Sequence, residues 1–384
     1  MKSVYSNPID CYGCGVCMDA CTRNAIQMKS DYHGFLYPVI DESKCIDCKM
    51  CKSVCQIGKE KDIVHDRPDF CYGFKNTDSI RSVSSSGGAF SAIVQSLKGN
   101  NGYVYGASFD EKLMVKHSRN RVEAGTAAFK GSKYIQSNLA GVYKDILSLL
   151  DDCMVVFSGT PCQIAALNLF LTAFHGNIKN LITVDIVCHG APSPIIWKEY
   201  INIIESRNKC GASQYHFRDK TRGWKGYHIS LCLNDGRVVK NDPWLDSYGV
   251  IYSKNLFLRQ SCYHCPYSSL CRPSDITLGD FWGIEQIDKD FYDDLGVSSI
   301  LPNTLIGNKV VNDFINLPEY RIKQYNVDVL KQPNLHKSTD YPLNYDSFWK
   351  TYEKKGTLSI LKRYGNISRF YVLKDRIDNY LNRH

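Results

Sequence analysis

Seventeen cysteines stand in this 384-residue chain, and eight of them form two runs of identical spacing. Cys11, Cys14, Cys17 and Cys21 read C-x2-C-x2-C-x3-C, and Cys45, Cys48, Cys51 and Cys55 repeat that pattern without alteration. Three thiolates at every third residue of a tight loop face one iron–sulfur cube, and in this spacing the fourth cysteine ligates the other cube. The pattern therefore assigns Cys11, Cys14, Cys17 and Cys55 to one 4Fe–4S centre, and Cys45, Cys48, Cys51 and Cys21 to a second. Zinc is the competing metal, but structural zinc sites usually collect ligands as separated pairs. An odd cysteine count without a secretory leader does not suit a disulfide framework.

Four further segments hold residue types that are unusual for a plain core. Ser84, Ser85, Ser86, Gly87 and Gly88 precede an apolar helical pattern. Such a helix start offers free N–H groups to an anion, or is simply N-capped by Ser86. Around Gly131, two lysines (Lys130, Lys133), two hydroxyls (Ser132, Ser137), Tyr134 and Gln136 offer phosphate contact and ring stacking, or form a solvated loop. Thr160 is placed to cap a helix opened by Pro161, which puts Cys162 in a first turn where the dipole favours a thiolate; a buried, inert thiol is the alternative. Cys162 and Cys188 both follow expected strands, at the edge where ligands gather in open α/β sheets. With Cys262 and Cys265 they make a candidate third four-thiolate site, with Cys271 in reserve, and spacing alone does not separate iron–sulfur from zinc there. His189, beside Cys188, is a candidate proton donor or a structural cap.

The elements that must position these residues follow from periodicity. Short extended pieces are expected between Ile26 and Ile40, then a charged connector over Lys59–Asp69. Strands are expected at Phe70–Phe74, Tyr103–Ser108, Met154–Phe157 and Leu181–Val187, alternating with helices at Gly87–Leu97, Tyr143–Leu150, Gln163–Leu171 and Pro194–Ile204. That alternation predicts βα crossovers and a partly parallel sheet. From Gln214 to Val239 the period falls to two, and Asn234-Asp235-Gly236 reads as a hairpin turn. A charged helical tail without recognisable chemistry is expected over Ile360–Leu381.

Composition sets the class. Apolar residues make up 43% and charged residues 22%, ordinary for a globular protein. At about 100–200 residues per domain the length fits two or three domains. The net charge of +8 comes from scattered Lys and Arg, without the basic run that marks nucleic-acid binding; it points to acidic partners or phosphate-bearing cofactors. No stretch long enough to span a membrane is present, and the start carries no leader pattern, so a cytoplasmic location is expected.

Residues 5–60 resemble the bacterial dicluster ferredoxin module, except that Thr22 and Gln56 stand where that module normally has proline. Residues 70–310 resemble the beta-subunit family of coenzyme F420-reducing hydrogenase and F420-dependent dehydrogenases. That second likeness rests on the serine-glycine segment, Lys130–Ser137, Gly159–Gln163, Cys188–Gly190, Phe217-Arg218-Asp219-Lys220 with Gly223-Trp224, and Ser274–Gly283. It implies bound FAD, nearby iron–sulfur clusters and a pocket for a hydride donor or acceptor. On this resemblance the flavin contacts are Ser85, Ser86, Gly87, Gly88, Lys130, Ser132, Lys133, Tyr134, Gln136, Ser137 and Thr160. A third 4Fe–4S cluster falls on Cys162, Cys188, Cys262 and Cys265.

The expected architecture is α+β and α/β: a dicluster ferredoxin module over 1–60, a mixed α/β FAD and iron–sulfur domain with an antiparallel segment over 61–310, and a polar, mostly helical extension over 311–384. The expected activity is conversion between single electrons and hydride, with a ferredoxin or enzyme subunit as redox partner and a small molecule as hydride partner; a homo-oligomer is also compatible. Two alternatives remain open: a non-catalytic electron-transfer subunit, and a flavin-free fold using Cys162 as a thiol nucleophile.

Overall fold

A computed structural model describes residues 3–365 of the chain. Near the amino end, strands β1 (Ile26–Ser30) and β2 (Leu36–Ile40) pair antiparallel, with Ile26 opposite Ile40. The one-turn helices Val16–Asp19 and Met50–Ser53 flank this ribbon, each entered from a residue of left-handed backbone, Gly15 (φ 79°) and Lys49 (φ 62°). That turn brings the third cysteine of each run round towards the first two.

The rest of the chain builds an eight-stranded sheet and a smaller three-stranded one. The strands in chain order are β3 (Phe70–Lys75), β4 (Gly102–Phe109), β5 (Val115–Arg121), β6 (Met154–Gly159), β7 (Leu181–Ile186), β8 (Ala212–Asp219), β9 (His228–Leu233), β10 (Val238–Asn241), β11 (Ile276–Asp280), β12 (Ser298–Pro302) and β13 (Arg321–Asn326). The large sheet runs β13-β3-β12-β11-β7-β6-β4-β5. Its centre, β11-β7-β6-β4, is parallel, and antiparallel pairs close both sides. Helices cover both faces, as a parallel centre requires. Ala89–Ser96 and Leu305–Ile315 pack on Val104, Val156 and Val184. Val142–Leu149 and Pro161–Ala173 pack on Val155, Phe157 and Leu181.

The expected crossovers and the hairpin are present, and Gly236 takes φ 87° in the turn between β9 and β10. Four strands escape the periodicity. β5 and β13 are edge strands whose polar sequences, VKHSRNR and RIKQYN, carry little apolar signal. β11 and β12 are five residues each, too short to stand out from the loops around them. Residues 311–364, set apart as an extension on sequence, supply β13 to the main sheet. They also supply the helices Tyr345–Lys355 and Thr357–Tyr364 to the core around Trp197 and Phe217. Only the start of the tail expected over Ile360–Leu381 lies among the described residues, in the helix Thr357–Tyr364; the rest lies outside them.

Among the described residues no helix is long and apolar enough to cross a membrane.

Candidate functional site

β6 and β7 are parallel neighbours, with Val155 opposite Leu181, so the residues after each strand emerge on one edge of the sheet. After β6 comes Thr160, whose backbone N–H donates to Gln163 Oε1 (2.8 Å), then Pro161 at the first helical position and Cys162. After β7 comes Cys188. The segment Gln260–His264 delivers Cys262 and Cys265 to the same edge; the Ala191 N–H donates to Cys262 Sγ (3.3 Å).

The thiols are close enough to influence one another electrostatically, both within the sets and between them. Burial lifts Cys162, with Cys265, Cys188 and Cys14 adding to the shift. Burial pushes Cys188 to about 12, with Cys262 and Cys265 beside it, and Cys262 to about 12, with Cys265 and Cys162 beside it. In the amino-terminal module, burial lifts Cys14 to about 12 with Cys55 and Cys11 adding to it, and Cys51 is raised by burial beside Cys48, Cys21 and Cys45. The structure brings the members of each set near one another, and Cys14 of the first set near Cys162 of the third. No three His, Cys, Asp or Glu side chains among the described residues converge on a single metal ion. The chemistry of each set, four soft sulfur donors, suits a 4Fe–4S cube, which would hold as thiolates groups that burial alone keeps protonated. Cys271 does not line the cavity onto which the Cys162 set opens.

That cavity measures about 930 Å³, near the top of the roughly 300–1,000 Å³ span of ligand pockets. Cys14 of the amino-terminal module lines it, as do all four cysteines of the Cys162 set. Its wall also includes Ser85, Ser86, Gly88, Lys130, Ser132, Lys133, Tyr134, Gln136, Ser137 and Thr160. The hydroxyls and Lys130 of its wall, together with the rings of Tyr134, Tyr227, Tyr252 and Trp282, fit a ligand bearing both phosphate and a flat ring. FAD has that chemistry.

Three residues behave differently from the simplest expectation. Gly87 does not line the cavity; a Cβ there would stand 2.1 Å from the Phe74 carbonyl, so its glycine serves packing against β3. Lys133 spends its ammonium on the carbonyls of Phe129, Lys130 and Gly131, and burial lowers it to about 8. It braces its own loop and leaves Lys130 as the lysine for an anion. His189 Nε2 meets Asn255 Oδ1 at 2.6 Å, the structural role rather than an open proton donor.

Periodicity and motifs missed several members of the wall. His117, on polar β5, is buried: its ring joins Ser137 Oγ (2.5 Å) to the Ser158 carbonyl (2.9 Å), and burial lowers it to about 4. A lone histidine between Lys116 and Ser118 gave no sign of this. The motifs around Arg218 and Asp280, quoted for resemblance without roles, turn out to be partners. Arg218 donates twice to Asp280 (2.6 and 3.1 Å), Trp224 Nε1 donates to the same carboxylate (2.9 Å), and Trp282 stacks on Trp224 at 4.4 Å. Lys220 donates to the carbonyls of Ser86 (3.0 Å) and Leu295 (2.6 Å), and burial lowers it to about 7. It ties the serine-glycine segment to β8.

Residues 10–59 match the family described as "4Fe-4S dicluster domain", and residues 153–327 match the C-terminal part of the family "Coenzyme F420 hydrogenase/dehydrogenase, beta subunit". The chain is an iron–sulfur protein related to that beta subunit. Among solved structures, a chain of the F420-reducing NiFe hydrogenase complex from Methanosarcina barkeri is similar, at 16% identity and a TM-score of 0.48, over 77% of this chain and 94% of that one. No curated protein matches. The serine-glycine and Lys130 segments precede the matched span 153–327, so their place beside the cysteines rests on the cavity itself.

Proposed function

We propose that this protein is a cytoplasmic oxidoreductase that relays single electrons through 4Fe–4S centres to or from FAD, for hydride exchange with a deazaflavin of the F420 kind or another small molecule. A ferredoxin or an enzyme subunit is the redox partner. One observation carries the reading: a single cavity has Cys14, the Cys162 set and the serine-glycine and Lys130 segments in its wall. Bound FAD supplies the exchange between single electrons and hydride, which no side chain here performs.

The chain's own residues bind, orient and exclude water. Ser85 and Ser132, with hydroxyls 2.9 Å apart, and Lys130 would be the donors to a pyrophosphate. The helix Ala89–Ser96, which has no side-chain cap, would add the N–H groups of its first turn. His117, neutral at pH 7, fixes the Ser137 hydroxyl. Arg218, neutralised by Asp280 under the Trp282 ring, keeps the aromatic part of the wall rigid.

Anaerobic purification followed by iron, sulfide and flavin assay tests this directly. About twelve iron and one flavin per chain are expected, and Cys162→Ser should remove about four iron. About eight iron in the parent would eliminate the Cys162 set as a cluster site, and a sample without a flavin band would eliminate the hydride step. Turnover of the isolated chain with a reduced deazaflavin separates an enzyme from an electron-transfer subunit.

A further inference from the structure

Gln56 follows Cys55 at the position where dicluster modules normally carry proline, and it is only 1% exposed. Burying a primary amide without partners costs on the order of 1–3 kcal/mol, so its contacts need an account. Its Nε2 donates to the Cys162 carbonyl (2.8 Å) and approaches Cys14 Sγ at 3.8 Å, within range for an N–H···S bond. Its Oε1 accepts from the Tyr267 hydroxyl at 2.6 Å. This set fixes the amide's orientation: turned over, Oε1 would face a carbonyl oxygen and a sulfur, and the Tyr267 hydroxyl would lose its acceptor. Tyr267 is itself 1% exposed, lies two residues beyond Cys265, and has its ring 6.0 Å from that of Tyr12, the neighbour of Cys11.

We infer that Gln56 is a positioning residue that bridges the first amino-terminal centre, that of Cys11, Cys14, Cys17 and Cys55, to the Cys162 set and tunes the potential of that first centre. One N–H points at a sulfur of the first set while the other holds the backbone of a ligand in the third. Hydrogen bonds to ligand sulfurs stabilise the more negative, reduced state of a cluster and so raise its potential. The same amide keeps a short bonded path between Cys14 and Cys162. The step it serves moves one electron, oxidising one centre as the other is reduced, with no bond or proton changing hands. The bridging half of this inference rests on the reading of Cys162, Cys188, Cys262 and Cys265 as a cluster site; the contact with Cys14 does not.

The test is anaerobic redox titration, followed by electron paramagnetic resonance, on full-length protein with Gln56→Leu, paired with rapid photoreduction to follow equilibration among the centres. The expected result is unchanged iron, a lower midpoint potential for one amino-terminal centre with no shift in the other, and slower equilibration with the Cys162 set. Tyr267→Phe, which frees the amide without removing it, should shift the same centre in the same direction by less, and provides the readout if Gln56→Leu does not fold. Full iron with unmoved potentials and an unchanged rate would overturn the inference. A parent protein holding about eight iron would instead sink the Cys162 cluster, and the bridge with it; the potential shift would then decide the contact with Cys14 alone.

Discussion

Gly13 and Gly15 occupy the inner cysteine loop where Asp47 and Lys49 occupy the outer one, and all four take positive φ. The two loops have the same cysteine spacing and the same backbone, yet they face different surroundings. Cys11 and Cys17 are buried, while Cys48 is exposed. Across the inner loop, Arg259 donates to the Cys11 carbonyl (2.5 Å) and the Leu36 carbonyl (3.0 Å), with its guanidinium 4.3 Å from the centre of the Tyr37 ring. Asp19 accepts the N–H groups of Gly141 and Tyr143, capping the helix Val142–Leu149 from the other side of the boundary. Tyr143 returns a bond to the Cys14 carbonyl (3.1 Å). The repeat is therefore symmetric in ligands and asymmetric in environment. The larger domain grips one loop through these hydrogen bonds and holds the more exposed one only by the packing of Met50 against its core.

The largest effect should come from disturbing the gripped loop. A Cβ on Gly13 would lie 2.5 Å from Arg259 Nη1 and 2.6 Å from Gln136 Nε2, at φ 66°. Those groups cannot withdraw freely, because Gln136 donates to the Tyr12 carbonyl and Arg259 to Cys11 and Leu36. Gly13→Ala should therefore cost about 2–4 kcal/mol, summing left-handed strain with loosened hydrogen bonds. Urea unfolding monitored by cluster absorbance checks this. A change below about 0.5 kcal/mol, the level of an ordinary surface substitution, would mean the loop is not gripped.

Acid should weaken the cavity side next. His117 sits at about 4 in the folded chain against an ordinary 6.5, so between those values the unfolded state takes up a proton that the folded state refuses. The stability this neutral histidine supplies is complete above pH 6.5 and is lost as pH falls towards 4, by at most about 3 kcal/mol. His117→Gln should flatten that part of the stability–pH curve. An unchanged curve would place the acid sensitivity elsewhere.

These contrasts also mark what the sequence could reveal. The two amino-terminal cysteine runs were legible as a dicluster domain because 4Fe–4S ligation imposes spacing, and β6, β7 and their helices were legible because buried parallel strands are continuous apolar runs. The grip on the inner loop was not. Arg259 and Gln136 are distant in sequence from the glycine they press on, and nothing local distinguishes them from surface residues. Gln56 was visible only as a departure from a familiar proline, without a reason; the reason is Cys162, over a hundred positions away. β5 hid His117 because an edge strand needs little apolar sequence, and Lys220 reads as a surface charge until it is found tethering Ser86.

The smallest predicted effect is also the sharpest test of the asymmetry. Lys49 holds φ 62° at the position equivalent to Gly15, and its side chain is exposed, so nothing in the larger domain depends on it. A left-handed backbone costs an L-residue about 1–2 kcal/mol, and glycine escapes that cost while making the unfolded chain more flexible by about 0.4–1 kcal/mol. Lys49→Gly should accordingly stabilise the module by up to about 1 kcal/mol, where the matching change at Gly15, to Lys, should destabilise it by a similar amount. Parallel urea titrations of the two variants read both signs. If Lys49→Gly instead weakened the module, the outer loop would owe its conformation to the lysine side chain, and its equivalence with the glycine loop would fail.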